Sequence, residues 1–185
     1  MSIDPSSVLT GSDLPPGYGT VNPFAAVRGP GGCAAFIAFV EEVFDGRETL
    51  AAHSVDADGL LIHAEVRVGD STIMCADAKP QWAFTPALLQ VYVADVEEVV
   101  RRAVARGAEV VTAPTAFHGG QRLARFLDPW HGLWWLFEYG PGSTAPSEGP
   151  DELPQWRPDP DAPPSEVFRT VDEAMTHLGP PVVDG

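Results

Sequence analysis

The stretch Gln121-Arg-Leu-Ala-Arg-Phe-Leu-Asp-Pro-Trp-His-Gly-Leu-Trp-Trp-Leu-Phe-Glu138 reads as strand, turn, strand. Apolar and aromatic runs over 121–127 and 133–139 flank an Asp128-Pro129 turn signal, the pattern expected of neighbouring antiparallel strands. Aromatic residues crowd the second run, which suggests a pocket. Rings with a few amides suit a flat or amphipathic organic ligand, because rings give contact area and amides give direction. Core packing is the competing explanation for the same rings.

Working outward, strands are expected at 88–93 and 109–112, with a helix at 96–106 between them. Asp95 caps this helix and Gly107 ends it. An earlier pass runs in the same order: a strand at 21–27, a glycine-rich turn at 29–32 and a helix ending near Asp45-Gly46. Strands at 49–55, 60–68 and 71–77 complete it. Each pass is βαβββ. Within 60–68, Ile62, Ala64, Val66 and Val68 share one face, and His63, Glu65 and Arg67 share the other. Within 88–93, Leu89, Val91 and Val93 oppose Leu88, Gln90 and Tyr92. The first strand separates Val21, Ala25 and Val27 from Asn22 and Phe24. The polar and aromatic faces either meet water or line a cavity.

Residues 1–20, rich in Ser, Gly, Asp and Pro, read as a flexible arm, and 140–164 as a Pro-rich linker. Residues 165–179 form a helix behind Ser165, with Val167, Phe168, Val171, Ala174, Met175 and Leu178 at helical spacing. Gly179 and Pro180 stop it. Such a stripe needs a surface to lie on, either its own domain or a partner subunit. The main domain is therefore 21–139.

The 26 acidic residues outnumber the 11 basic ones, and a formal charge of −15 repels phosphate backbones and anionic lipid surfaces. Nucleic acid and membrane are not expected partners. No run approaches the roughly 18 apolar residues of a spanning helix, and no signal peptide is evident, so a soluble cytoplasmic protein is expected. Cys33 and Cys75 are too few for a disulfide framework and lack zinc-site spacing; they read as buried thiols.

The repeat carries Asn22-Pro-Phe, His63-Ala-Glu-Val-Arg-Val-Gly-Asp-Ser, Leu89-Gln-Val-Tyr-Val-Ala-Asp-Val, Gly107-Ala and Asp128-Pro in that order. In this it resembles the vicinal oxygen chelate superfamily, the glyoxalase, bleomycin-resistance and dioxygenase group, and most of all its PhnB-like branch. The resemblance covers about 21–139. It implies an α+β fold in which two βαβββ modules build a curved sheet around a ligand cavity, here with a C-terminal helix added. It also implies a homodimer.

Catalytic members of the superfamily hold a metal through a His on the first strand of each module and a Glu on the last. Carried over by position, these places fall on Asn22, fourteen residues before Phe36, on Gln90, and on Trp135, seven residues after Asp128. A fourth carboxylate used by some members falls near Met74. Two neutral amides and an indole do not supply the anionic or imidazole donors that divalent ions require, so no metal and no cofactor are expected. Glu138, three residues past Trp135, belongs to the opposite face.

The resemblance makes Asn22, Phe24, Met74, Trp82, Gln90, Tyr92, His118, Trp135 and Phe137 the candidate ligand contacts. Trp134 and Phe84 belong to the same aromatic set. His63, Glu65 and Arg67 are the candidate catalytic group: a carboxylate can orient a neutral imidazole as general base. The alternative is a polar strand face with no chemistry. His118 lies in a loop, His131 in the turn, and His53 has no evident partner. Three functions remain open. They are metal-free binding of a small aromatic or polycyclic molecule, a glyoxalase-lineage enzyme working through His63, and an accessory or structural subunit.

Overall fold

In a computed structural model of the chain, residues 8–143 and 165–181 are described. The first seven residues of the expected arm and most of the expected linker, 144–164, lie outside the described residues. The described chain forms two compact units that divide at Ala87/Leu88, and each holds one βαβββ module.

The first unit contains β1 (Phe24–Val27), α1 (Gly32–Phe44), β2 (Arg47–Glu48), β3 (Ser54–Val55), β4 (Leu61–Val68) and β5 (Ser71–Asp77). The strand order is β1-β5-β4-β2, with β3 paired to β4 and β1 parallel to β5. The strand expected at 49–55 is interrupted: a 3-10 turn at Leu50–Ala52 separates the two-residue strands β2 and β3. One sheet face carries Ala25, Val27, Ala64, Val66, Ile73 and Cys75, and α1 contributes Cys33, Phe36, Ile37, Val40 and Val43; all are buried. Both thiols are therefore core residues, and the hydrogen bond that the Cys33 thiol donates to Cys75, with burial, pushes the Cys33 thiol well above its ordinary value. Two residues leave the expected apolar face. Val21 precedes β1 and is exposed, and Ile62, near the start of β4, is also exposed.

The second unit contains β6 (Leu88–Val93), α2 (Val96–Ala105), β7 (Glu109–Ala116), β8 (Arg122–Leu127), β9 (Leu133–Glu138) and α3 (Glu166–His177). Its sheet runs β6-β9-β8-β7, with β6 parallel to β9. Strand β7 outruns the expected 109–112 and continues past Pro114. It lies at the sheet edge, where a residue without an N–H is tolerated, and two register shifts absorb the distortion. Helix α2 buries Val96, Val99, Val100 and Ala103, and the Asp95 side chain caps it by accepting from the Glu98 N–H at 3.0 Å.

The repeat extends to single hydrogen bonds. Asp77 ends β5 opposite Val27, and its Oδ1 accepts from the Cys33 N–H in the first turn of α1 at 2.6 Å. Glu138 ends β9 opposite Val93, and its Oε2 accepts from the Val96 N–H of α2 at 3.0 Å. In both modules a carboxylate closing the last strand satisfies a free donor at the helix N-terminus and meets its positive end. Glu138 thus points to the helix side, as its spacing from Trp135 requires.

The Asp-Pro turn is organised by Asp128. Oδ1 accepts from the N–H groups of Trp130 (2.9 Å) and Gly132 (2.8 Å), and Oδ2 accepts from the indole N–H of Trp134 (2.8 Å). His131 holds the left-handed backbone this turn needs, with φ 61°. Trp134 is fully buried and stacks on Phe126 at 6.1 Å, so it is a core ring and leaves the candidate pocket set.

Candidate ligand-binding site

Register sorts the candidates onto one face of each sheet. In the first unit, Phe24, Met74 and Glu65 are successive partners across β1, β5 and β4, and His63 and Arg67 lie on the same side of β4. Glu65 is buried while His63 is partly exposed, and His63 Nε2 lies 3.2 Å from Glu65 Oε1. The segment assigned to an arm supplies a third member. Gly17 accepts from the Thr72 hydroxyl at 2.6 Å, and the Tyr18 hydroxyl donates to Glu65 Oε2 at 2.5 Å. That bond to an acceptor raises the Tyr18 pKa. Arg67 turns away and donates to the Gly69 carbonyl. The pair His63 and Glu65 therefore exists, oriented by Tyr18, whereas Arg67 is not joined to it.

Asn22 precedes β1, and its amide is engaged twice by Gly19, accepting from the N–H at 3.0 Å and donating to the carbonyl at 2.8 Å. Trp82 is half exposed on the loop after β5, which Arg28 holds by donating to the carbonyls of Lys79 and Trp82.

In the second unit, Gln90, Trp135, Arg125 and Thr112 form one row across all four strands, and Tyr92, Phe137, Leu123 and Thr115 form the next. The candidates Gln90, Tyr92, Trp135 and Phe137 are thereby brought together on the face opposite α2. Rings extend the second row: Phe117 lies 5.7 Å from Phe137 and 4.8 Å from the His118 ring, and Tyr92 lies 5.9 Å from Phe137. His118 is exposed at the margin of this cluster.

Arg125 was not singled out by sequence. Its guanidinium lies 3.9 Å over the Trp135 ring, and its Nη1 donates to Thr112 Oγ1 (3.2 Å) and to the Val167 carbonyl of α3 (2.7 Å). Desolvation lowers its pKa. The available signal was a charge placed between Leu123 and Leu127 on an otherwise apolar strand face. Helix α3 lies along β7 on this side, where Thr170 and Thr112 share a 2.7 Å hydrogen bond. The helix docks on its own unit. Ser165 starts it without a side-chain cap bond.

Residues 26–137 match the family model described as glyoxalase/bleomycin resistance protein/dioxygenase superfamily. The chain belongs to this superfamily. It is 32% identical over 114 residues to uncharacterized proteins of Mycobacterium bovis and Mycobacterium tuberculosis, covering 56% of this chain and 74% and 66% of theirs. Among solved structures it is similar to TioX from Micromonospora sp. ML1, at TM-score 0.50 and 22% identity over 67% of this chain and 98% of that one. The PhnB protein from Bacillus cereus matches at TM-score 0.50 and 20% identity, over 63% and 96%. The fosfomycin resistance protein FosX from Listeria monocytogenes also reaches 0.50, with 18% identity over 67% and 92%. At these identities the likeness concerns the fold, and it agrees with the α+β arrangement of paired βαβββ modules.

The superfamily's metal is tested by the donors at its expected places. Asn22 has both ends of its amide bonded to Gly19, and Trp135 offers an indole beneath a guanidinium. Among the described residues no group of three or more His, Cys, Asp or Glu is placed to hold a metal ion. Neither place fits a divalent cation: Asn22 and Trp135 each bring no anion, and beside Trp135 the Arg125 guanidinium brings a repelling charge. No helix among the described residues is long and apolar enough to cross a membrane.

Proposed function

We propose that this superfamily member binds a small, flat organic molecule on the Gln90–Trp135–Arg125 face of its second module, without a resident divalent metal and without turnover. The role is of the sequestration or resistance type. The observation that carries this reading is the guanidinium stacked 3.9 Å over Trp135, at the position where metal-dependent relatives need a carboxylate. Electrostatics disfavour a cation there, while the indole, the rings of Tyr92 and Phe137, and the Gln90 amide offer stacking area with one directional group. FosX is described as a fosfomycin resistance protein, so a resistance role suits this fold. The protein acts in this reading as a cytoplasmic homodimer; a monomer mass at sedimentation equilibrium would remove the dimer. Purified protein is expected to contain substoichiometric divalent metal by elemental analysis and to bind members of a fused-ring aromatic panel in equilibrium dialysis. Stoichiometric metal, or no binding across the panel, contradicts the proposal.

The Tyr18–Glu65–His63 chain favours a second reading, an enzyme that uses His63 as general base. Glu65, held by Tyr18, fixes the imidazole, and a half-exposed ring can reach a substrate proton. In that case His63→Ala abolishes turnover while ligand affinity stays within a few-fold. Equal loss of both removes a specific catalytic role.

A further inference from the structure

Arg125 is 2% exposed, yet among the described residues no carboxylate pairs with it, and its Nε has no hydrogen-bond partner. Its two acceptors, the Thr112 hydroxyl and the Val167 carbonyl, are neutral. A guanidinium taken out of water is ordinarily compensated by an anion, and its planar fork matches an oxyanion in bidentate fashion. The chain has 26 acidic residues against 11 basic ones, yet among the described residues none of the acids pairs with this buried cation.

The acceptor contributed by α3 is also loosely held. No residue of α3 is fully buried, whereas α1 and α2 bury whole faces. Its Val167, Val171 and Ala174 are only half-buried, and polar ties supplement them: Arg125 to the Val167 carbonyl, Thr112 to Thr170, and His131 Nδ1 to the Gly179 carbonyl at 2.6 Å. A helix without a buried face gains little from the hydrophobic effect and opens at low cost.

Resting on the ligand-binding reading above, we propose that the second module's site takes an aromatic oxyanion, a carboxylate or phosphonate carried on a flat ring. Arg125 receives the oxyanion with the Thr112 hydroxyl as second donor, Trp135 and Gln90 contact the ring system, and α3 is a strap whose Val167 carbonyl occupies the guanidinium until the ligand displaces it. A charged acceptor makes a stronger hydrogen bond with Arg than a neutral carbonyl does, so exchange favours the ligand. The chain's net negative charge acts mainly at long range and is screened within about 8 Å at physiological ionic strength. It slows arrival without cancelling the local pairing.

Isothermal titration of the full chain with 2-naphthoate and with its neutral analogue 2-naphthalenemethanol tests this. Wild type is expected to bind naphthoate at least tenfold more tightly than the alcohol, and Arg125→Met to erase that preference. Thr170→Pro breaks α3 at the turn bonded to Thr112 and is expected to tighten naphthoate binding several-fold, because the strap no longer competes. The comparison between the two probes in wild type and Thr170→Pro holds even if Arg125→Met fails to fold. Equal affinity for both probes in wild type and Thr170→Pro overturns the oxyanion assignment and leaves the ligand-binding reading standing. Unchanged or weaker naphthoate binding in Thr170→Pro overturns the strap. Binding of neither probe to either protein contradicts the ligand-binding reading itself.

Discussion

Replacing Asp128 with Ala is expected to destabilise the protein by about 3–5 kcal/mol, because it strands the N–H groups of Trp130 and Gly132 and the indole N–H of Trp134 together. Each buried donor left without an acceptor costs about 1–3 kcal/mol, and no water replaces the carboxylate in a tightly packed turn. For a chain of this size the loss corresponds to a fall in Tm of roughly 10–15 °C, readable by calorimetry. A fall below about 3 °C would show that the turn does not depend on Asp128.

The same residue sets a pH signature. Burial pushes the Asp128 carboxyl from 3.8 up to about 6, although its three donors and the His131 charge pull the other way. The folded value is above the unfolded one, so between about pH 4 and 6 the folded chain holds a proton that the unfolded chain has released. That contribution to stability is complete below about 4 and lost as pH rises through about 6. Relative to Asp128→Asn, which does not titrate, wild-type stability should therefore decline between those values.

The second large effect is on binding. Trp135→Ala is expected to weaken a fused-ring ligand by about 10- to 100-fold, measured by isothermal titration. Contact with roughly 60–100 Å² of indole at about 25 cal/mol per Å² gives about 1.5–2.5 kcal/mol, and ring-on-ring geometry adds several tenths more. Stability should move less, since Trp135 is only partly buried and its main loss is the contact with Arg125. Tyr92→Ala, at the exposed edge of the next row, should cost several-fold at most. Affinity unchanged in Trp135→Ala would place the ligand elsewhere.

Local chemistry made much of the fold legible. Asp95 and Gly107 bound α2, alternation in 88–93 gives the observed exposed and half-buried faces, and Asp128-Pro129 turns the β8–β9 hairpin. These signals act within a few residues of themselves. The candidate site was half legible for the same reason. Gln90, Tyr92, Trp135 and Phe137 share a face because strand period and register place them there. Tyr18 reaches Glu65 across 47 positions and Arg125 reaches Val167 across 42, and no local pattern encodes such partners. Strand β7 runs four residues beyond the expected 112, because Pro114 is accommodated at the sheet edge that β7 occupies.

On the proposed reading, the Gln90–Trp135–Arg125 face binds an organic molecule. Its most direct test is a two-dimensional NMR titration of the full chain with 2-naphthoate, following the indole N–H of Trp135 and the side-chain amide of Gln90. Saturable shifts are expected at both, at a common midpoint, with the buried indole of Trp134 little changed. Saturable binding that leaves Trp135 and Gln90 unshifted would contradict that reading.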